Sequence, residues 1–241
     1  MATIVLVHGS MHGGWCWKRV APLLCTAGHD VYTPTLTGLG ERVHLAHPGI
    51  ALDTHIRDVL GVLEFEDLHD VVLAGHSYGA MVITGVADRV PERIGHLVYI
   101  DGAMACDGQT VLDLFPPEWR ASRRAQVDAE GDGWRLPPPV NLTGWGISHE
   151  DAGWVRAKLA PQPFATFTQP LRLTHAAGFD GPKTFIACLE APPAQWRDAM
   201  IDRVCAEHDW RSRELTTGHD AMITAPGALT GLLLEIVETT S

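Results

Sequence analysis

Short β-rich runs alternate along this chain with longer stretches whose apolar positions recur every three or four residues. The runs read as strands, Ile4 to Val7 as a fully buried one, then Asp30 to Thr33 ahead of Pro34, Val71 to Ala74, His96 to Ile100, Lys183 to Leu189 and Trp210 to Leu215. The periodic stretches read as helices. Gly14 to Ala27 puts Val20, Leu23 and Leu24 on one face and stops at Gly28. Thr54 can cap a helix carrying Ile56, Val59, Leu60 and Leu63. Ala80 to Val90 is stopped by Pro91, and Thr224 and Pro226 open a last helix through Leu229, Leu233 and Val237. Strands that alternate with helices pair in parallel, with helices covering both faces, so the expected class is α/β with a roughly six-stranded, mainly parallel sheet.

The alternation fails between Asp101 and Pro182. That stretch holds Pro116-Pro117, Pro137-Pro138-Pro139, Pro161, Pro163 and Pro170, with Trp119, Trp134, Trp145 and Trp154. It is too long for a plain loop and reads as an inserted, mainly helical cap. The expected organisation is a core of residues 1–103 and 181–241 with a cap of residues 104–180.

A chain of 241 residues fits one such domain with an insertion. Acidic residues outnumber basic ones 29 to 18, for a net charge of −11, which disfavours nucleic acid and an anionic membrane as partners. No apolar run reaches membrane-spanning length, and the first residues read as a core strand and not as a signal peptide. Five widely spaced cysteines without a CxxC pair fit reduced thiols, so the expected location is cytoplasmic. Oligomeric state stays open, a homodimer included.

Chemistry enters at Gly75-His76-Ser77-Tyr78-Gly79, a G-x-S-x-G pattern. It directly follows one predicted strand and directly precedes one predicted helix. The chain must turn sharply there to lift a side chain above the carboxyl end of the sheet, and glycines on both sides permit that turn. The serine oxygen then lies at a helix N-terminus, whose N–H groups favour developing negative charge. A serine hydroxyl is a weak nucleophile and needs a base. Of 13 histidines, only His219 lies between the last strand and the last helix, where that base belongs.

These segments, with Val7-His8-Gly9-Ser10-Met11-His12-Gly13-Gly14-Trp15-Cys16-Trp17, Leu36 to Arg42 and Gly218-His219-Asp220-Ala221-Met222, resemble the α/β-hydrolase superfamily. Within it the chain is similar to the compact branch of plant methylesterases, hydroxynitrile lyases and bacterial pyrethroid-type carboxylesterases. The resemblance implies an α/β-hydrolase fold with an inserted cap. It also implies Ser77 as nucleophile, His219 as base and an oxyanion hole from the backbone N–H groups of Ser10 and Tyr78. His12, close to that hole in sequence, reads as a structural hydrogen-bonding residue.

The acid is where the sequence departs from the pattern. The branch expects an aspartate after the strand Lys183 to Leu189, and the usual spacing falls near Ala191. Glu190 beside it is the first candidate. Asp101, at the end of the fourth predicted strand, is the second, and a site with no acid is the third. Asp198 and Asp202 fall in a helix.

The cap suggests an apolar pocket lined by Met11, Met104, Phe115, Trp145, Phe164 and Phe167. His44, His47 and His55 lack a metal-ligand spacing, and neither a phosphate-cradling nor a dinucleotide glycine motif is present, so no metal and no cofactor are expected. The expected activity is hydrolysis of a carboxylic ester of an apolar small molecule through an acyl-serine intermediate. The uncertain acid keeps open a lyase, cyclase or C–C bond-forming enzyme of secondary metabolism. A non-catalytic small-molecule receptor is the third reading. Asp220, after the histidine, replaces the lysine of hydroxynitrile lyases and disfavours that particular lyase.

Overall fold

The computed structural model describes residues 1–175, 179–192, 195–206 and 210–239. The main sheet has six parallel strands: β1 (Thr3–Val7), β2 (Asp30–Tyr32), β3 (Val71–His76), β4 (Ile94–Ile100), β7 (Lys183–Cys188) and β8 (Trp210–Leu215). Their order is β2-β1-β3-β4-β7-β8. Two short strands outside this sheet, β5 (Arg135–Leu136) and β6 (Gln162–Pro163), pair antiparallel.

Alternate residues of each strand feed opposite faces of the sheet. Val5, Val7, Leu73, Leu97 and Tyr99 pack with α2 (Leu52–Phe65) and α3 (Gly79–Arg89). Ile4, Leu6, Val72, Ala74, Val98 and Ile100 pack with α1 (Ala21–Thr26) and α9 (Pro226–Glu238). Two-sided burial explains why these strands read as continuous apolar runs. Each large aliphatic side chain taken out of water stabilises the fold by about 1.5–3 kcal/mol.

Helix boundaries depart from the sequence expectations in three places. Gly14 to Ala27 is two pieces, a 3-10 turn over Gly14–Arg19 and then α1, because Pro22 lacks the N–H that a continuous helix would need. Thr54 sits inside α2 and caps backwards, its hydroxyl accepting from the Ala51 N–H at 3.4 Å. Thr224 closes the short α8 (Ala221–Thr224), and only then does Pro226 start α9.

Between β4 and β7 lie α4 (Pro117–Glu130), α5 (His149–Arg156), α6 (Ala165–Thr168) and the β5–β6 pair. After β7 comes α7 (Gln195–Ala206). The inserted stretch is tied to the core by directional contacts. The Arg19 guanidinium donates to both carboxylate oxygens of Asp151, at 2.8 and 2.6 Å, and the Asp53 N–H donates to Gln169 Oε1 at 2.7 Å. Among the described residues, no helix is long and apolar enough to cross a membrane.

Candidate active site

Ser77 stands between β3 and α3 with φ +52, a left-handed conformation that L side chains rarely adopt. The turn holds because its flanks are too tight for anything but glycine. A Cβ on Gly75 would lie 2.5 Å from the Gly79 carbonyl oxygen, and one on Gly79 would lie 2.8 Å from the carbonyl oxygens of Val7 and His8. The Ser77 N–H donates to the Ile100 carbonyl at 3.0 Å, tying the elbow to the last residue of β4.

His219 Nε2 lies 2.9 Å from Ser77 Oγ. The loop that carries His219 leaves β8 and rests on the inserted stretch, with the Asp220 N–H donating to the Trp145 carbonyl at 3.1 Å. Gly218 is required there. A Cβ would lie 2.4 Å from Gly146 Cα.

Asp101, one residue beyond β4, completes the row. Its Oδ2 accepts from His219 Nδ1 at 2.5 Å. Asp101 is fully buried, with φ +42, and its own N–H donates to the Ile186 carbonyl at 2.8 Å. Arg197 of α7 clamps the carboxylate from the other side, donating from Nε to Oδ1 and from Nη2 to Oδ2, both at 2.8 Å. Burial on its own would raise the carboxyl's pKa. The hydrogen bonds and charges of His219 and Arg197 outweigh burial and hold it at about 2.

The first-choice acid, Glu190, is therefore corrected: the carboxylate at His219 belongs to Asp101. Glu190 follows β7, and its backbone N–H donates to the Thr217 carbonyl at 2.9 Å, but its side chain is exposed. The β4 end lies beside the elbow in the sheet order, so a short aspartate there already reaches the imidazole. Asp198 and Asp202 lie on α7 and are exposed. The sequence reading missed Arg197. Its signal, one of two arginines in a helix with weak apolar periodicity, has meaning only once α7 is placed against the end of β4.

A second buried polar group backs the site. His12 is held at Nδ1 by the Ser10 carbonyl at 2.8 Å, and its Nε2 faces Asp220 Oδ2 at 3.2 Å. Burial would lower the His12 pKa, but the adjacent Asp220 carboxylate raises it. His76 donates from Nε2 to the His219 carbonyl at 2.9 Å, and burial lowers its pKa to about 3, so it stays neutral. His76, His219 and Asp220 bring potential metal-ligand atoms within 4.8 Å of one another. His219 already spends both ring nitrogens on Asp101 and Ser77, and His76 spends Nε2 on a carbonyl, so this donor set does not suit a cation.

A cavity of about 800 Å³ opens above Ser77. Ser10, Tyr78, Met11, Phe115, Trp145 and Phe167 all line it with Ser77 and His219. Met104 and Phe164 do not. The Met104 N–H is directed at Met200 Sδ at 3.3 Å, and Phe164 is buried against the core with the Arg124 guanidinium over its ring at 5.2 Å. The wall also includes Trp119, which the sequence reading did not select and which stacks on Phe115 with centroids 4.0 Å apart. Both lie near the start of α4, where Pro116-Pro117 turns the chain over the opening.

Comparison with known proteins assigns the family. A model of the alpha/beta hydrolase family matches residues 4–231. A carbendazim hydrolyzing esterase of Nocardioides sp. (strain SG-4G) is 39% identical over 238 residues, covering 95% of this chain and 97% of that protein. Methylesterase 10 of Arabidopsis thaliana is 26% identical, covering 96% and 90%. Among solved structures, an extracellular alpha/beta-hydrolase from a Paenibacillus species superposes with a TM-score of 0.87 at 26% identity, covering 98% of both chains. The six-stranded parallel sheet agrees with these matches, and the chain belongs to the alpha/beta hydrolase family of enzymes.

Proposed function

We propose that this protein hydrolyses carboxylic esters of apolar small molecules through an acyl-Ser77 intermediate. The observation that carries this reading is the continuous row from Ser77 Oγ to His219 Nε2 at 2.9 Å and from His219 Nδ1 to Asp101 Oδ2 at 2.5 Å. His219 takes the Ser77 proton as the oxygen attacks the ester carbonyl. Asp101 holds the Nδ1–H tautomer and stabilises the imidazolium that forms. The backbone N–H groups of Ser10 and Tyr78 receive the oxyanion. Such preorganised donors contribute several kcal/mol, because their dipoles need no reorganisation as charge develops. His219 then gives its proton to the departing alcohol. Water, activated by the same imidazole, attacks the acyl-enzyme and restores Ser77.

Phe115, Trp119, Trp145 and Phe167 on the cavity wall favour an apolar or aromatic acyl or alcohol group. The esterase names of the relatives support ester chemistry. Asp101 at His219 supplies the acid whose uncertain identity motivated a lyase or cyclase reading, and an intact nucleophile–base–acid row gives a pure receptor no support.

The test is covalent capture. A fluorophosphonate should add one phosphonyl group to Ser77 in intact-mass and peptide spectra, and Ser77→Ala should lose both labelling and turnover of p-nitrophenyl butyrate. Full turnover in Ser77→Ala would sink the mechanism.

A further inference from the structure

Met11 directly follows Ser10 and has φ +67, a conformation that a non-glycine residue holds only when its surroundings impose it. Both backbone polar groups of Met11 are taken by the inserted stretch and not by the core. Its N–H donates to Gln162 Oε1 at 2.8 Å, and its carbonyl accepts from the Ala160 N–H at 2.9 Å. Gln162 is fully buried, and its amide orientation is fixed: Nε2 donates to Thr166 Oγ1 at 2.8 Å, and the Thr166 hydroxyl donates to the Pro163 carbonyl at 2.6 Å. With Oε1 committed to Met11 and Nε2 to Thr166, the amide has one productive orientation.

The elbow residue after the nucleophile is anchored by α2 of the core. The Tyr78 hydroxyl lies 2.8 Å from His55 Nδ1, and His55 Nε2 lies 2.9 Å from the Thr37 carbonyl. A carbonyl can only accept, so His55 carries its proton on Nε2 and Tyr78 donates to Nδ1.

We propose that Gln162 is a positioning residue for the oxyanion hole: from the cap, it pins Met11 in its left-handed conformation and so aims the Ser10 N–H at the ester oxygen. This rests on the reading of Ser10 as an oxyanion donor. A side chain about 150 positions away in sequence and outside the catalytic row thereby sets the stabilisation of the transition state. When the Met11 N–H loses its acceptor, the strained residue relaxes and swings the adjacent Ser10 N–H off line. Substrate binding, which depends on the aromatic wall, is little affected.

The experiment measures Gln162→Met, similar in length but with no acceptor at Oε1, on p-nitrophenyl butyrate and on an alkyl trifluoromethyl ketone that mimics the oxyanion. Losing one oxyanion donor outright lowers kcat by about 10²–10³. Misaiming one should lower it by about 10–100-fold, with KM within about twofold and ketone affinity falling in step with kcat. Gln162→Glu, which keeps an acceptor at the same place, should recover most of kcat. Thr166→Val, which frees the amide to turn, should give a smaller loss with the same signature and serves if Gln162→Met fails to fold. Unchanged kcat and ketone affinity in folded Gln162→Met or Thr166→Val would overturn the proposal. So would a loss confined to KM. If Ser77→Ala is inactive while these variants are normal, only the role of Gln162 fails. If Ser77→Ala is active, the ester reading itself fails.

Discussion

Replacing Asp101 by Asn keeps the shape of the side chain and removes its charge. Asp101 is fully buried, accepts from His219 Nδ1 at 2.5 Å and takes two hydrogen bonds from Arg197 at 2.8 Å. Those partners depress its pKa from 3.8 to about 2. That depression makes the ionised carboxylate worth on the order of 2 kcal/mol to the folded state. Because the folded value is the lower one, this stability is fully present above pH 3.8 and is lost as pH falls through about 2. Asn forfeits it at neutral pH and removes the carboxylate charge that the buried Arg197 guanidinium clamps, so the total loss should be about 3–5 kcal/mol. Catalysis should suffer more than stability. An amide that presents N–H to Nδ1 selects the wrong histidine tautomer, and kcat should fall by about 10³–10⁴. The assay is kcat for p-nitrophenyl butyrate alongside urea unfolding, with Glu190→Gln as the matched control. Glu190→Gln should stay within about twofold of the parent in both measurements, because an exposed carboxylate contributes little. If Asp101→Asn kept activity and Glu190→Gln lost it, the assignment of the acid would be wrong.

Three further outcomes follow from the geometry. Ser77→Gly relieves the φ +52 strain and should be more stable than Ser77→Ala by about 1 kcal/mol in thermal melts, while both variants are inactive; equal melting temperatures would refute strain at the elbow. Gly218→Ala drives a Cβ to within 2.4 Å of Gly146 Cα, so the His219 loop must shift. Stability should fall by about 1–3 kcal/mol and kcat with it, read by melting and by turnover, and parent-like values would contradict the contact. Trp119→Ala removes an aromatic wall stacked on Phe115, and KM for aryl or long-chain esters should rise about tenfold with little change for acetate esters. A uniform change across a chain-length series would place Trp119 outside the substrate path.

The sequence by itself determined the features that depend on local chain chemistry. A strand buried on both faces must be largely apolar, so β1, β3 and β4 were visible as apolar runs, and the break after Asp101 marked the inserted stretch. A sharp strand-to-helix turn needs glycines at fixed offsets around the turning residue, so Ser77 could be read from five letters. His219 followed from chain order, since only one histidine lies between the last strand and the last helix. Tertiary structure decided everything that depends on which chain segments meet. Glu190 and Asp101 both end strands, and no local property distinguishes them. The sheet order sets the end of β4 beside the elbow and turns Asp101 inward, with Arg197 behind it, while Glu190 follows β7 facing water. The pocket divides for the same reason. Met11 and Phe167 line the cavity, whereas Met104 and Phe164, just as apolar, spend their surface on the core. The clasp from Gln162 to Met11 joins two segments with no shared pattern, because one hydrogen bond between distant residues leaves no period in a sequence, and only the folded chain brings its partners within 2.8 Å.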